Sequence, residues 1–365
     1  MSNIIDYVKW RGDLDFSQSE FNEVDSLILN RFSYFPLDNL IKDGEKVSIF
    51  EINKRLKKVK EEVIFLWEGD SELLELMANS KRFGNLSVCD FINEIVVEQE
   101  SQFAAVTLFL PDNTIYVSFR GTDNSLVGWK ENFNMSFKSH INAQLKAKNY
   151  LEKIANENLN LKIRLGGHSK GGNLAVYSAT FVNKEIQDRI IKIYNNDGPG
   201  FKDDIIETEN YKNIVDRVIT YIPQDSVFGM LLEHKEKFVI VKSNAKGFME
   251  HDVYSWEVLG KKFIELEEAT KQCKFIDKTI STWITNLDLE TREQVVDIIF
   301  GIIKSTNIIN VREFKESLVS NTNSVIVTYK QIDPENKKMI MATVNELFRI
   351  IKNNVVEEYK SKKNM

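Results

Sequence analysis

Five consecutive residues, Gly167-His168-Ser169-Lys170-Gly171, have the types and spacing of a turn that presents an oxygen nucleophile. A serine hydroxyl reaches a substrate from a sharp turn between a strand and a helix. Glycines two residues before and two after relieve the crowding that such a turn creates. The flanks agree with this reading. Leu161-Lys162-Ile163-Arg164-Leu165 reads as an apolar strand, and Asn173 to Ala179 as a helix, with Gly172 leaving that helix room to pack. The competing use of glycine at such a junction is phosphate binding. Neither Gly-x-x-x-x-Gly-Lys-Ser/Thr nor Gly-x-Gly-x-x-Gly is present here. His168, inside the turn, is expected to pack beside it.

The hydroxyl needs a base, in practice a histidine oriented by a carboxylate. The chain has only 4 histidines, so elimination has force. Hydrolases built around a strand–serine–helix turn run in the chain order Ser, Asp/Glu, His, which removes His140 and His168. His234 lies in the charged run Leu231-Leu232-Glu233-His234-Lys235-Glu236. His251 follows a predicted strand, Phe238 to Val241, and a loop containing Gly247, and is preferred. Two acids compete, Asp197 and Asp225, each just after an apolar strand. Asp225 is preferred, because Asp197, between Asn196 and Gly198, has the alternative task of shaping its turn. The oxyanion is expected to meet the backbone N–H of Lys170 and a donor from Thr122 in Arg120-Gly121-Thr122-Asp123. Arg120 and Asp123 are expected to pair and brace that loop. This chemistry implies no metal and no organic cofactor.

These residues need a scaffold, and the texture of the chain from about residue 92 offers one. Ile92 to Gln99 is strand-like, Phe103 to Leu110 is apolar, Pro111-Asp112-Asn113 is a turn, and Thr114 to Phe119 resumes extended structure. A helix is predicted from about His140 to Asn158. Further strands are predicted at Ile190 to Asn195 and Val215 to Ile222. Alternating strands and helices predict an α/β architecture, a mostly parallel sheet flanked by helices. Residues 17 to 80 carry helix-like spacing, and the basic run Lys54 to Lys60 reads as a solvated helix face because Glu61 and Glu62 follow it. Helices are predicted over 253–285 and 291–319, broken at Thr285 to Glu290, with a further break at Asp333-Pro334 before a last helix. The expected domains are 1–260, with a helical N-terminal part of about 1–85, and an all-helical C-terminal region, 261–365.

Composition bounds the function. A net charge of −6 argues against nucleic acid, and 42% hydrophobic content supports a packed core. Cys89 and Cys273, far apart in sequence, make neither a disulfide framework nor a thiolate zinc site. The first eleven residues lack the pattern of a secretory signal, and no run approaches the roughly 18 apolar residues of a membrane span. A cytoplasmic location is expected, with peripheral membrane contact by a C-terminal amphipathic helix as a lesser possibility. The sequence does not specify an oligomeric state.

Phe119-Arg120-Gly121-Thr122, then Trp129 and Asn132-Phe133, the Gly167 to Gly172 turn and Asp225 together resemble the class 3 (fungal-type) lipase family, closest to an uncharacterised bacterial branch. The resemblance covers roughly residues 90–260. It implies an α/β-hydrolase fold with Ser169 as nucleophile, Asp225 as acid, His251 as base and Thr122 at the oxyanion hole. Lys170 departs from the apolar residue usual after the nucleophile, and Phe228 from the proline usual after Asp-x-Val. The expected activity is a serine hydrolase acting on a small acyl ester or lipid through an acyl-enzyme. The alternative is a hydrolase-fold binding or scaffold protein without turnover.

Overall fold

The structure, a computed structural model, describes residues 2–59, 63–123, 125–135, 137–226, 228–305 and 334–363. The chain forms two compact units, Met1–Asp123 with Asn142–Thr270, and Asn124–Ile141 with Lys271–Met365.

The first unit is built on a nine-stranded sheet. In chain order its strands are β1 (Val47–Ser48), β2 (Ser87–Val96), β3 (Ser101–Leu110), β4 (Thr114–Phe119), β5 (Lys162–His168), β6 (Ile190–Asn196), β7 (Val218–Pro223), β8 (Lys237–Val241) and, after the short pair β9 (Val258–Leu259) and β10 (Lys262–Phe263), β11 (Glu265–Leu266). The spatial order is β1-β2-β3-β4-β5-β6-β7-β8-β11. Strands β4 to β8 run parallel, while the β1–β4 side and β11 pair antiparallel. The sheet is therefore mixed, with the expected parallel run at its centre.

Helices of this unit are α1 (Ile4–Arg11), α2 (Glu23–Phe32), α3 (Ile49–Leu56) and α4 (Asp70–Asn79) before the parallel strands. Among the later ones, Asn142–Glu157 and Lys170–Phe181 flank β5 in sequence. Alternation along β4 places helices on both faces of the sheet. Tyr116 bonds Asn30 and Ser118 bonds the Leu29 carbonyl, both on α2, whereas the Phe119 ring packs on Tyr150 of the Asn142–Glu157 helix. Asn3, Asn22 and Ser48 cap α1, α2 and α3 through their side-chain oxygens, which is why these helices start where they do. In the predicted basic face, Arg55 is spent on ion pairs with Glu45 and Glu51.

The N-terminal helices are held by a buried cation. Arg82, fully buried, donates to both oxygens of Asp25 and to the carbonyls of Leu14, Ser19 and Glu20. Tyr7 adds a third bond to Asp25 at 2.9 Å.

The second unit is helical: α5 (Leu126–Asn134), then Lys271–Asn286, Leu289–Ser305 and Pro334–Lys363. Lys130 of α5 pairs with Asp297 at 2.8 Å, and Trp283 Nε1 donates to the Thr343 carbonyl at 3.0 Å. The segment after the Arg-Gly-Thr loop groups with the C-terminal helices. The predicted break at Thr285 to Glu290 is present, since one helix ends at Asn286 and the next begins at Leu289. The helix predicted over 253–285 is corrected. Residues 253–266 form a short 3-10 turn and three two-residue strands, and the helix begins at Lys271. Part of the helix expected over 291–319 lies outside the described residues, as does Asp333. Among the described residues no helix is long and apolar enough to cross a membrane.

Removing Arg82 leaves Asp25 charged and unpaired in the interior, a mechanism that costs about 3–5 kcal/mol. Arg82→Met is expected to lower unfolding free energy by that amount in urea titration. A loss under about 1 kcal/mol would show that the pair does not hold these helices.

Candidate active site

Ser169 is the single residue between β5 and the helix Lys170–Phe181. Its backbone sits at φ 59°, ψ −134°, which an L residue adopts only at a cost of order 1–3 kcal/mol. Two bonds hold it there: its N–H donates to the Asn196 carbonyl at 2.8 Å, and its carbonyl accepts from Gly172 N–H at 2.9 Å. The glycines are sterically required. A Cβ on Gly167 would lie 2.1 Å from the Gly171 carbonyl carbon, and one on Gly171 would lie 2.1 Å from the Phe119 oxygen.

Parallel pairing sets His168 opposite Asn196, so the turn after β6 lies beside the turn after β5. The residue after Asn196 is Asp197, also at positive φ, 53°. Its buried carboxylate accepts from His251 Nδ1 at 2.5 Å through Oδ2. Oδ1 accepts from Ser226 Oγ and, at 3.1 Å, from Gly229 N–H. The preferred sequence assignment differs here, because Asp225 points its carboxylate elsewhere and accepts from Thr270 Oγ1. Asp225 follows β7, one strand further from the elbow, whereas Asp197 follows the strand that pairs with it.

His251 ends a 3-10 turn, Gly247–His251, beyond β8. Its ring lies between two others, His168 at 4.4 Å and Phe228 at 4.5 Å between centroids. Phe228, the departure from proline noted above, is therefore one wall of the histidine slot. With Nδ1 committed to Asp197, Nε2 is the nitrogen left for proton transfer. Among the described residues Ser169 Oγ forms no hydrogen bond, so the structure joins His251 to Asp197 but leaves the Ser169–His251 bond unformed. Active-site hydrogen bonds of this kind often tighten only when substrate binds. His234, the competing base, is engaged by Glu236 at 2.7 Å.

His168 is held neutral: burial pushes its pKa well below the usual value, and His251 and Arg31 push the same way. Its Nε2 faces the His251 carbonyl at 2.9 Å, an atom that can only accept, so Nε2 carries the hydrogen. Gly121 approaches the elbow closely, since a Cβ there would meet the His168 oxygen at 2.4 Å and Ser169 Cβ at 3.0 Å. Thr122 follows it. Arg120 pairs with Asp123 at 3.3 Å and donates to Asn93 at 2.8 Å, bracing the loop as expected. Lys170 turns its side chain inward, where Nζ donates to the Gln102 carbonyl and Oε1 at 2.7 and 3.0 Å. Its backbone N–H lies at the positive end of its helix dipole. The side chain of Trp129 lies outside the described residues. His168, Asp197 and His251 offer ligand atoms within 4.8 Å of one another, the spacing of a metal site. Two of these atoms are already engaged, His251 Nδ1 by Asp197 and His168 Nε2 by the His251 carbonyl.

Glu250, beside His251, is fully buried and accepts from Asp225 N–H at 2.8 Å. Burial pushes its pKa up to about 7, with the charges of Asp225 and Asp197 adding to the effect. The folded state therefore binds more protons than the unfolded chain between the ordinary glutamate range and pH 7, and stability falls as pH rises through that window. Glu250→Gln, which mimics the protonated form, is expected to gain up to about 3 kcal/mol relative to wild type between pH 5 and pH 8. Urea unfolding of both proteins at the two pH values checks this, and an unchanged difference would remove the effect.

The model of the Mbeg1-like family matches residues 77–301, more than half of the chain. Among solved structures, a mutant of MDLA from Penicillium cyclopium is 13% identical, with 68% of this chain and 87% of that chain covered at a TM-score of 0.42. A fungal lipase is 12% identical over 74% of this chain and 92% of its own, at a TM-score of 0.41. Lipase II of Rhizopus niveus is 14% identical over 47% and 70%, at a TM-score of 0.35. No curated protein matches by sequence. Fungal lipases are the group whose Arg-Gly-Ser/Thr and elbow motifs this sequence resembles, and by the match over its sheet and elbow the chain belongs to the Mbeg1-like family.

Proposed function

We propose that the protein is a serine hydrolase of carboxylic esters, with Ser169, His251 and Asp197 as its triad. The observation that carries this reading is the His251–Asp197 bond set beside a serine in a strained strand-to-helix turn. Ser169 Oγ attacks the ester carbonyl carbon while His251 Nε2 takes its proton. Asp197 fixes the imidazole and stabilises its charged form. The backbone amides of Thr122 and Lys170 stabilise the oxyanion. When the carbon–oxygen bond to the alcohol breaks, Nε2 returns the proton to the leaving oxygen, and the acyl group stays on Ser169. Water then attacks the acyl carbon, passes a proton to Nε2, and the acid departs as that proton returns to Ser169. No step needs a metal or an organic cofactor. The substrate class this reading carries is a small acyl ester or a lipid.

The acid is the finer question, and one pair of variants separates the two carboxylates. With a short-chain p-nitrophenyl ester, Asp197→Asn is expected to lower kcat by about 10³–10⁴-fold and Asp225→Asn by less than about tenfold. The reverse ranking would return the role to Asp225. For the nucleophile, a fluorophosphonate probe is expected to label the wild type and not Ser169→Ala. Labelling that persists in Ser169→Ala would refute the assignment.

A further inference from the structure

Three separate segments must keep their places for this site to work: the loop with Gly121, the elbow with Ser169, and the turn with His251. One side chain from outside all three meets two of them. Tyr34, just beyond the end of α2, places its hydroxyl 2.9 Å from Gly121 N, 3.1 Å from the His168 carbonyl and 3.3 Å from His168 Nδ1. Gly121 N–H can only donate, so the phenol oxygen accepts from it. The phenol hydrogen is then free to go to His168, whose carbonyl and unprotonated Nδ1 both accept. His168 continues the chain by donating from Nε2 to the His251 carbonyl at 2.9 Å. The hydrogen bonds therefore run from oxyanion loop to Tyr34, to the elbow, to the base turn.

The phenol is itself fixed. Its ring is buried, and the Arg31 guanidinium lies over it at 4.7 Å. Arg31 is held in turn by Asp70, which also accepts from Tyr254 at 2.7 Å, three residues beyond His251. Burial pushes the Tyr34 hydroxyl up to about 12, so it keeps its proton at neutral pH. A carbon at Gly121 would lie 2.3 Å from the hydroxyl, so loop and phenol are already in contact.

We propose that Tyr34 is a positioning residue, whose hydroxyl sets the distance between the oxyanion loop and the nucleophile elbow. It rests on the hydrolase reading and acts through Gly121 and His168 rather than on substrate. Losing the hydroxyl frees the loop to drift, which weakens the oxyanion contacts of the transition state more than it weakens substrate binding.

Tyr34→Phe keeps the ring, its packing and the Arg31 contact, and removes only the hydroxyl. The expected result is a fall in kcat of about 10–100-fold on a p-nitrophenyl ester, with KM within about threefold. The rate constant for fluorophosphonate labelling of Ser169 is expected to fall by a similar factor. That rate constant reads folded molecules, so partial misfolding lowers the labelled amount and not the rate. Tyr34→Phe protein that turns over and labels at the wild-type rate would overturn the proposal while leaving the Ser169 reading intact. So would a Tyr34→Phe chain that does not fold, because the hydroxyl would then serve stability. If wild type neither labels nor hydrolyses, the positioning role and the hydrolase reading fall together.

Discussion

A guanidinium and a carboxylate sealed from water, Arg31 with Asp70, tie the N-terminal helices to the segments around the candidate site. Their bonds of 2.6 and 2.5 Å join α2 to the first residue of α4, and both side chains are almost wholly buried. Two charges in that setting gain little net stability from each other, but neither tolerates losing its partner. The pair therefore acts as a geometric constraint. The face of Arg31 is covered by Tyr34, Trp67 and Tyr254, and Trp67 N–H and Tyr254 add bonds to Asp70. Two of these aromatic residues lead toward the site, one to the oxyanion loop and one to the turn that carries His251. The N-terminal helices are in this sense tied to the candidate site.

The site stores local strain. Ser169 and Asp197, at the ends of neighbouring parallel strands, both occupy positive φ, and each is held by backbone bonds to the adjacent strand. Asp197 N–H donates to the Tyr221 carbonyl of β7 at 2.8 Å, while Ser169 N–H donates to Asn196. One strand register thus sets Ser169 and Asp197 at neighbouring strand ends. The His251 ring packs against the His168 and Phe228 rings while its Nδ1 bonds Asp197. The two residues that depart from the fungal-lipase pattern have physical accounts here. Phe228 supplies ring surface to the base, and Lys170 buries its stem and spends its charge on Gln102 rather than on the substrate side.

Much of this was legible along the chain because it is local. The elbow needs only a strand, two glycines and a helix in succession, and all of them lie within about twenty residues. The hairpin before Arg120, the strand after residue 190 and the stop near Asn286 follow from period and turn chemistry in the same way. His251 emerged by counting, since four histidines and a chain order left few choices. The short strands over 258–266 were missed because two-residue segments have no period to read. They take strand geometry only from their partners, as Glu265 and Leu266 do beside β8.

The sequence by itself determined the strand–serine–helix turn, the candidate base and the alternation that builds the parallel sheet. Each of these is encoded by neighbours within one or two turns of chain. Only the tertiary structure shows that His251 bonds Asp197 and not Asp225, because both are acids after apolar strands and differ in which strand pairs with the elbow. It also brought in Tyr34 and Arg31, more than eighty residues before the loop they support, where no spacing rule connects them to Ser169. Such long-range choices follow from strand register and from the exclusion of water around buried charge, neither of which leaves a local pattern to read.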